Sequence, residues 1–153
     1  MAKWKRASEI ALAAALFAGI ASVSIAQAPA DTVAARQAAM KVVGKGNATI
    51  AAAMKAETPD FPGANAAAKS IQSAFTAFPG HFVAGSGPDS GITTKAKAEI
   101  WTDMEGFKAA NMKAVTASAA LVAATAGTDV AAVNAAQTEL RGTCGGCHSK
   151  YRS

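Results

Sequence analysis

The 153-residue chain has two cysteines, two histidines and one tyrosine, and only 6% of it is aromatic. Each shortage removes a class of function. Cys144 and Cys147 stand three apart, so a disulfide between them within a helix would be strained and would close a trivially small loop. A structural zinc site needs further cysteine or histidine ligands, and outside the C-terminal motif His81 is the one imidazole. No strand pattern precedes the cysteines, which argues against a thioredoxin-like use of them. Charge is sparse as well, at 16% of residues and a formal +5, and no basic cluster is interleaved with aromatics. Nucleic acid is therefore not an expected partner. No Ser/His/Asp constellation or carboxylate pair is apparent; Glu99, Asp103 and Glu105 read as ordinary helix-surface charges, so the chain is read as no enzyme.

The amino-terminal apolar run is short. Lys3, Lys5 and Arg6 precede Ile10 to Ile20, and Ser24-Ile25-Ala26 supplies small residues where a signal peptidase cuts. Residues 1–26 are expected to be a cleaved signal peptide rather than a stable membrane anchor, which places the protein in the periplasm. The remaining segment, residues 27–153, is long enough for one hydrophobic core. Its formal charge falls to +3 once the three basic residues and Glu9 of the leader are removed.

What is present in quantity is helical periodicity. From Asp31, read as an N-cap, to about Lys55, the residues Val33, Met40, Val43, Asn47, Ile50 and Met54 keep returning to one face. Gly44 and Gly46 weaken that helix by ~1 kcal/mol each. Thr58 to Gly63 punctuates the chain, and a second helix is expected from about Gly63 to Phe78, with Ile71, Phe75 and Phe78 in register. Residues 81–93 read as one long surface loop, with His81 solvated in it. A third helix from about Lys95 to Ala126 carries Ile100, Met104, Phe107, Asn111, Ser118 and Val122, widened by Trp101 and Val115. After a cap at Thr128, a fourth runs to about Tyr151 with the seam Val130, Val133, Gln137, Leu140, Cys144, Cys147, Tyr151, regular from Val133 onward. Four amphipathic helices and no strand candidate imply an all-α, antiparallel up-down-up-down four-helix bundle.

That seam ends in Cys144-Gly145-Gly146-Cys147-His148. Two thiols three apart with a histidine after the second form the attachment pattern of one covalent haem c, in which the cysteines become thioethers and the imidazole ligates iron. Alanine-rich helices bury little area each, so the haem is expected to supply much of the core at one end and to leave the apoprotein poorly ordered. His148 ends the fourth helix, near the beginnings of the first and third. Met40 and Met104 each lie nine residues into those helices, roughly 13 Å along the axis, whereas Met54 is near the far end. Geometry leaves Met40 and Met104 open as second iron ligands, or as gap-filling core.

The segment resembles a class II c-type cytochrome, the group of cytochrome c′ and its low-spin relatives. The resemblance rests on Arg36-Gln37-Ala38-Ala39-Met40-Lys41, Phe78-Pro79 with Gly85-Ser86, Lys95 to Trp101 with Phe107, and CGGCHSKYR. It favours Met40 over Met104 as the distal residue and is closer to the low-spin, Met/His-ligated cytochrome c-556 branch. It further implies that Arg36 approaches a haem propionate, against the alternative of a solvated helix-face arginine, and that Arg152 lies beside the proximal histidine. The expected function is single-electron transport with His148 and Met40 on iron and redox proteins as partners. The competing expectation is a five-coordinate, high-spin haem that binds a small gas, NO or CO, with Met40 unligated. Members of the resembled family commonly form a homodimer through one bundle face.

Overall fold

In a computed structural model, residues 28–153 are described. The expected signal peptide, residues 1–26, lies outside them. The described chain forms α1 (Pro29–Lys55), α2 (Phe61–Ala77), a short α3 (Glu99–Thr102), α4 (Met104–Thr125) and α5 (Val130–Tyr151). No named strand occurs among the described residues, and none of their helices is long and apolar enough to cross a membrane. The four long helices form the expected bundle: α1 packs on α2, α2 on α4 and α4 on α5, while α5 returns to α1.

Local chemistry moves several boundaries. α1 starts at Pro29, two residues before the expected cap at Asp31, because a proline at the first helical position gives up an N–H that would have no partner there. α2 begins behind Asp60, whose carboxylate accepts from the Gly63 N–H at 2.9 Å. Asp129, not Thr128, caps α5, accepting from Ala131 and Ala132. The expected third helix is broken. At Asp103 the backbone leaves helical space (φ −131°, ψ 54°), and its side chain caps α4 through the Gly106 N–H at 3.1 Å. The loop after α2 contains two 3-10 turns, Phe78–His81 and Pro88–Ser90.

The main core joins Val43, Ile50 and Met54 of α1 to Ile71, Phe75, Leu121, Val133 and Leu140. Leu121 is fully buried and joins the α4 stripe, which runs Phe107, Asn111, Ala114, Ser118, Leu121, Thr125, while Val122 beside it is partly buried against the same core. The α1–α2 contact is close at Gly46, where a Cβ would fall 2.7 Å from Ile71 Cγ1. Three amide side chains cross between helices: Asn65 donates to the Val122 carbonyl at 3.0 Å, Asn111 to the Phe75 carbonyl at 2.9 Å, and Gln137 to the Asn47 carbonyl at 2.7 Å. A second, aromatic cluster of Phe82, Ile100, Phe107 and Tyr151 occupies the end where α5 finishes.

Candidate functional site

Between these two clusters the bundle opens into a cavity of about 770 Å³, within the ~300–1,000 Å³ usual for cofactor sites. Its wall is mostly apolar, built from residues such as Phe75, Phe78, Ile100, Phe107 and Ala114. α5 contributes Cys144, Cys147 and His148 to that wall, and α1 contributes Arg36 and Met40. The sequence-derived site residues are thus gathered around one space by two helices. Met104 does not border the cavity; as the first residue of α4 it packs against the aromatic cluster. His81 ends a 3-10 turn away from the cavity.

The three residues of the attachment motif sit on the last turns of α5, where steps of three and one bring them to the same side. Both thiols are free and half-buried, and the Cys144 thiol donates weakly to the Leu140 carbonyl at 3.7 Å. Burial, and secondarily Cys144, push the Cys147 thiol up. Desolvation, then the neighbouring Arg152, hold His148 below the ordinary histidine value, which favours the neutral imidazole, the form with a lone pair to offer a metal. The turn carrying it is tied down by backbone bonds: Lys97 N–H donates to the Tyr151 carbonyl at 3.0 Å and Ser153 N–H to the Lys95 carbonyl at 2.9 Å.

Arg36 is not a solvated helix-face arginine. It is 5% exposed, and its guanidinium donates to the Ser86 carbonyl at 2.7 Å, to Ser86 Oγ at 3.3 Å and to Thr94 Oγ1 at 3.4 Å. The Phe82 ring lies 4.7 Å from it and Trp101 5.6 Å. Burial lowers its pKa, and no carboxylate of the described residues pairs with it. A buried cation held only by neutral acceptors and ring faces is incompletely matched, and the side on which it is open is the cavity. An apolar cavity flanked by two thiols and a neutral imidazole, with an unmatched guanidinium on its wall, fits a flat apolar group carrying anionic edges. Haem has those properties.

The aromatic and hydroxyl setting of Arg36 was missed in the sequence, since Phe82, Ser86 and Thr94 follow no period and the stripe that includes Trp101 does not point to α1. So was Asp103, which is more than a surface charge: its Oδ2 accepts from Lys150 at 2.6 Å and from the Tyr151 hydroxyl at 2.9 Å. A signal for it did exist. Asp103-Met104-Glu105-Gly106 repeats the Asp-x-x-Gly arrangement of Asp60 to Gly63, and a Cβ at either glycine would collide with the aspartate.

A family model described as Cytochrome C′ matches residues 31–152. A cytochrome c′ of Rubrivivax gelatinosus is 35% identical over 127 residues, which is 82% of this chain and 97% of the relative. A cytochrome c-556 of Agrobacterium tumefaciens (strain B2A) is 36% identical over 118 residues, covering 76% of this chain and 93% of the relative. The crystal structure of the Rubrivivax gelatinosus cytochrome c′ superposes with a TM-score of 0.73 at 32% identity, over 83% of this chain and 98% of that one.

Proposed function

The chain belongs to the cytochrome c′ family of haem proteins and carries one covalent haem c, and on that premise we propose that it is a periplasmic carrier of single electrons rather than an enzyme. Bound haem supplies a one-electron couple at its iron. Cys144 and Cys147 would hold the group through their sulfurs, and His148 and Met40 would hold its iron through imidazole and thioether. Arg36 holds a propionate through charge-assisted bonds. Held by one side chain from α1 and one from α5, the bound group would keep a similar environment in both oxidation states, which would favour fast electron exchange.

The observation that carries this reading is that Met40 of α1 and His148 of α5 border one cavity while Met104 does not. The test is an optical spectrum of the reduced protein with and without CO. A low-spin spectrum inert to CO is expected, and Met40→Ala should convert it to a high-spin form that takes CO. Rapid stoichiometric CO binding by the unaltered protein would sink the Met40 assignment.

A second reading, a five-coordinate haem that binds a small gas, has one observation in its favour. The family model and the Rubrivivax gelatinosus relative both carry the name cytochrome c′ rather than cytochrome c-556. On that reading Met40 packs beside the iron without binding it.

A further inference from the structure

The cavity wall is one-sided in charge. Arg36, Lys41, Lys95, Arg141 and Arg152 border it, and no aspartate or glutamate does. All but Arg36 are exposed. None of these five cations forms an ion pair with a described residue; the two ion pairs found, Lys108–Glu105 and Lys150–Asp103, lie elsewhere. That is an uneven use of charge in a segment whose formal excess is only +3. The rim is also compact. Arg141 and Arg152 are eleven residues apart on α5 and its cap, about 16 Å at 1.5 Å per residue. Lys95 lies beside Arg152, since Ala96 and Arg152 form an antiparallel bridge. Lys41 faces the same opening from α1.

A haem carries two propionates, which neutralise at most two of five cations, and buried Arg36 is the first of them. At least three positive charges therefore remain around the mouth with no internal counter-charge. Like charges so placed repel one another and are not explained by folding stability, for exposed cations contribute little to it. They do create a local positive field where a cofactor edge is nearest to solvent, the arrangement that steers an oppositely charged macromolecule.

We propose that this cation-rimmed mouth is the docking surface for a redox protein whose own exchange site is ringed by carboxylates. The proposal deepens the electron-carrier reading and rests on it. Docking there brings the partner against the one opening of the bundle that Cys144, Cys147 and His148 border, and the charges set orientation and on-rate more than affinity.

The test uses the oxidised, haem-loaded protein, which takes up one electron, and as probe a fully reduced flavodoxin of strongly negative net charge, which gives one up. The second-order electron-exchange rate is expected to fall about tenfold between ~10 mM and ~200 mM salt. Lys41→Glu/Arg141→Glu should slow it about tenfold at low salt, while the visible spectrum and the rate with a neutral small-molecule oxidant stay unchanged. If that variant misassembles, Lys95→Gln/Arg141→Gln removes charge without reversing it and should show a smaller loss of the same sign. Amide shifts on adding the flavodoxin should cluster at residues 37–45 and 141–153. Rates independent of salt and of both variants would overturn the surface and leave the carrier reading standing. Rim-localised shifts without electron exchange would keep the surface and defeat the carrier reading. Shifts reproduced by inorganic phosphate alone, or binding confined to phosphatidylglycerol vesicles, would also overturn it.

Discussion

The Tyr151 hydroxyl donates to Asp103 Oδ2 across 2.9 Å, joining the last residue of α5 to the residue that starts α4. Lys150 reinforces the same oxygen at 2.6 Å, and the Gly106 N–H occupies the other. One carboxylate therefore ends a helix break and anchors the turn that presents His148. Asp103→Ala removes all three bonds and is expected to lower the melting temperature of the haem-loaded protein by several degrees. Asp103→Asn keeps the cap and should recover part of the loss. Thermal melts of both variants check the order.

The same group sets an acid limit. Hydrogen bonds from Lys150, then Tyr151 and the Gly106 N–H, hold the Asp103 carboxyl below the usual carboxylate range. A depressed folded pKa means that its stabilisation is present above the unfolded value of about 3.9 and fades as pH falls through the folded one. The stability gap between the unaltered protein and Asp103→Asn should therefore be full at pH 7 and narrow below about pH 4. Because the Lys150 pair is largely exposed, added salt should shrink the gap at neutral pH. A gap that widens in acid would contradict the assignment.

The two α1 glycines should respond in opposite directions. Gly46→Ala drives a methyl into Ile71 at a tight helix contact and should destabilise by about 1–3 kcal/mol. Gly44→Ala meets open space, and in haem-free protein it should be neutral or stabilising by up to ~1 kcal/mol. Denaturant melts of the two single variants measure the contrast.

Arg36 binds α1 to the loop before α3. Arg36→Met keeps bulk among Phe82 and Trp101 but abandons Ser86 and Thr94. Amide hydrogen exchange over residues 82–94 should accelerate about tenfold, the equivalent of one charge-assisted bond near 1.5 kcal/mol. Exchange in the α4–α5 core should not change.

The cavity of about 770 Å³ separates the two hydrophobic clusters, so haem contacts there would account for much of the order at the aromatic end. Haem-free protein is expected to retain its helical far-ultraviolet circular dichroism and to lose most near-ultraviolet signal from the aromatic cluster. A native-like near-ultraviolet spectrum would show that the aromatic end orders by itself.

Legibility in the sequence followed regularity. On α5 the three- and four-residue steps from Val133 to Tyr151 describe a straight helix with one buried face, and every member of that seam is buried or borders the cavity. Met40 and His148 could be brought to the same end of the bundle because helix rise and topology are nearly invariant. Asp103 escaped notice because Ile100, Met104 and Phe107 keep helical spacing across the break, so apolar periodicity hides a cap. Gly44 and Gly46 look alike in sequence; only the position of α2 separates a required glycine from a merely tolerated one. The cage around Arg36 gathers residues from three segments, and no local pattern encodes that convergence.

The three amide crossings have a meaning for an alanine-rich bundle. Methyl-lined helix faces are smooth, and sliding one helix by a turn would cost little van der Waals contact. Asn65, Asn111 and Gln137 act as index pins: a slipped helix leaves a desolvated amide or carbonyl facing hydrocarbon. Asn65 and Asn111 therefore fix the axial offset between α2 and α4, and Gln137 that between α1 and α5, the two helices that carry Met40 and His148.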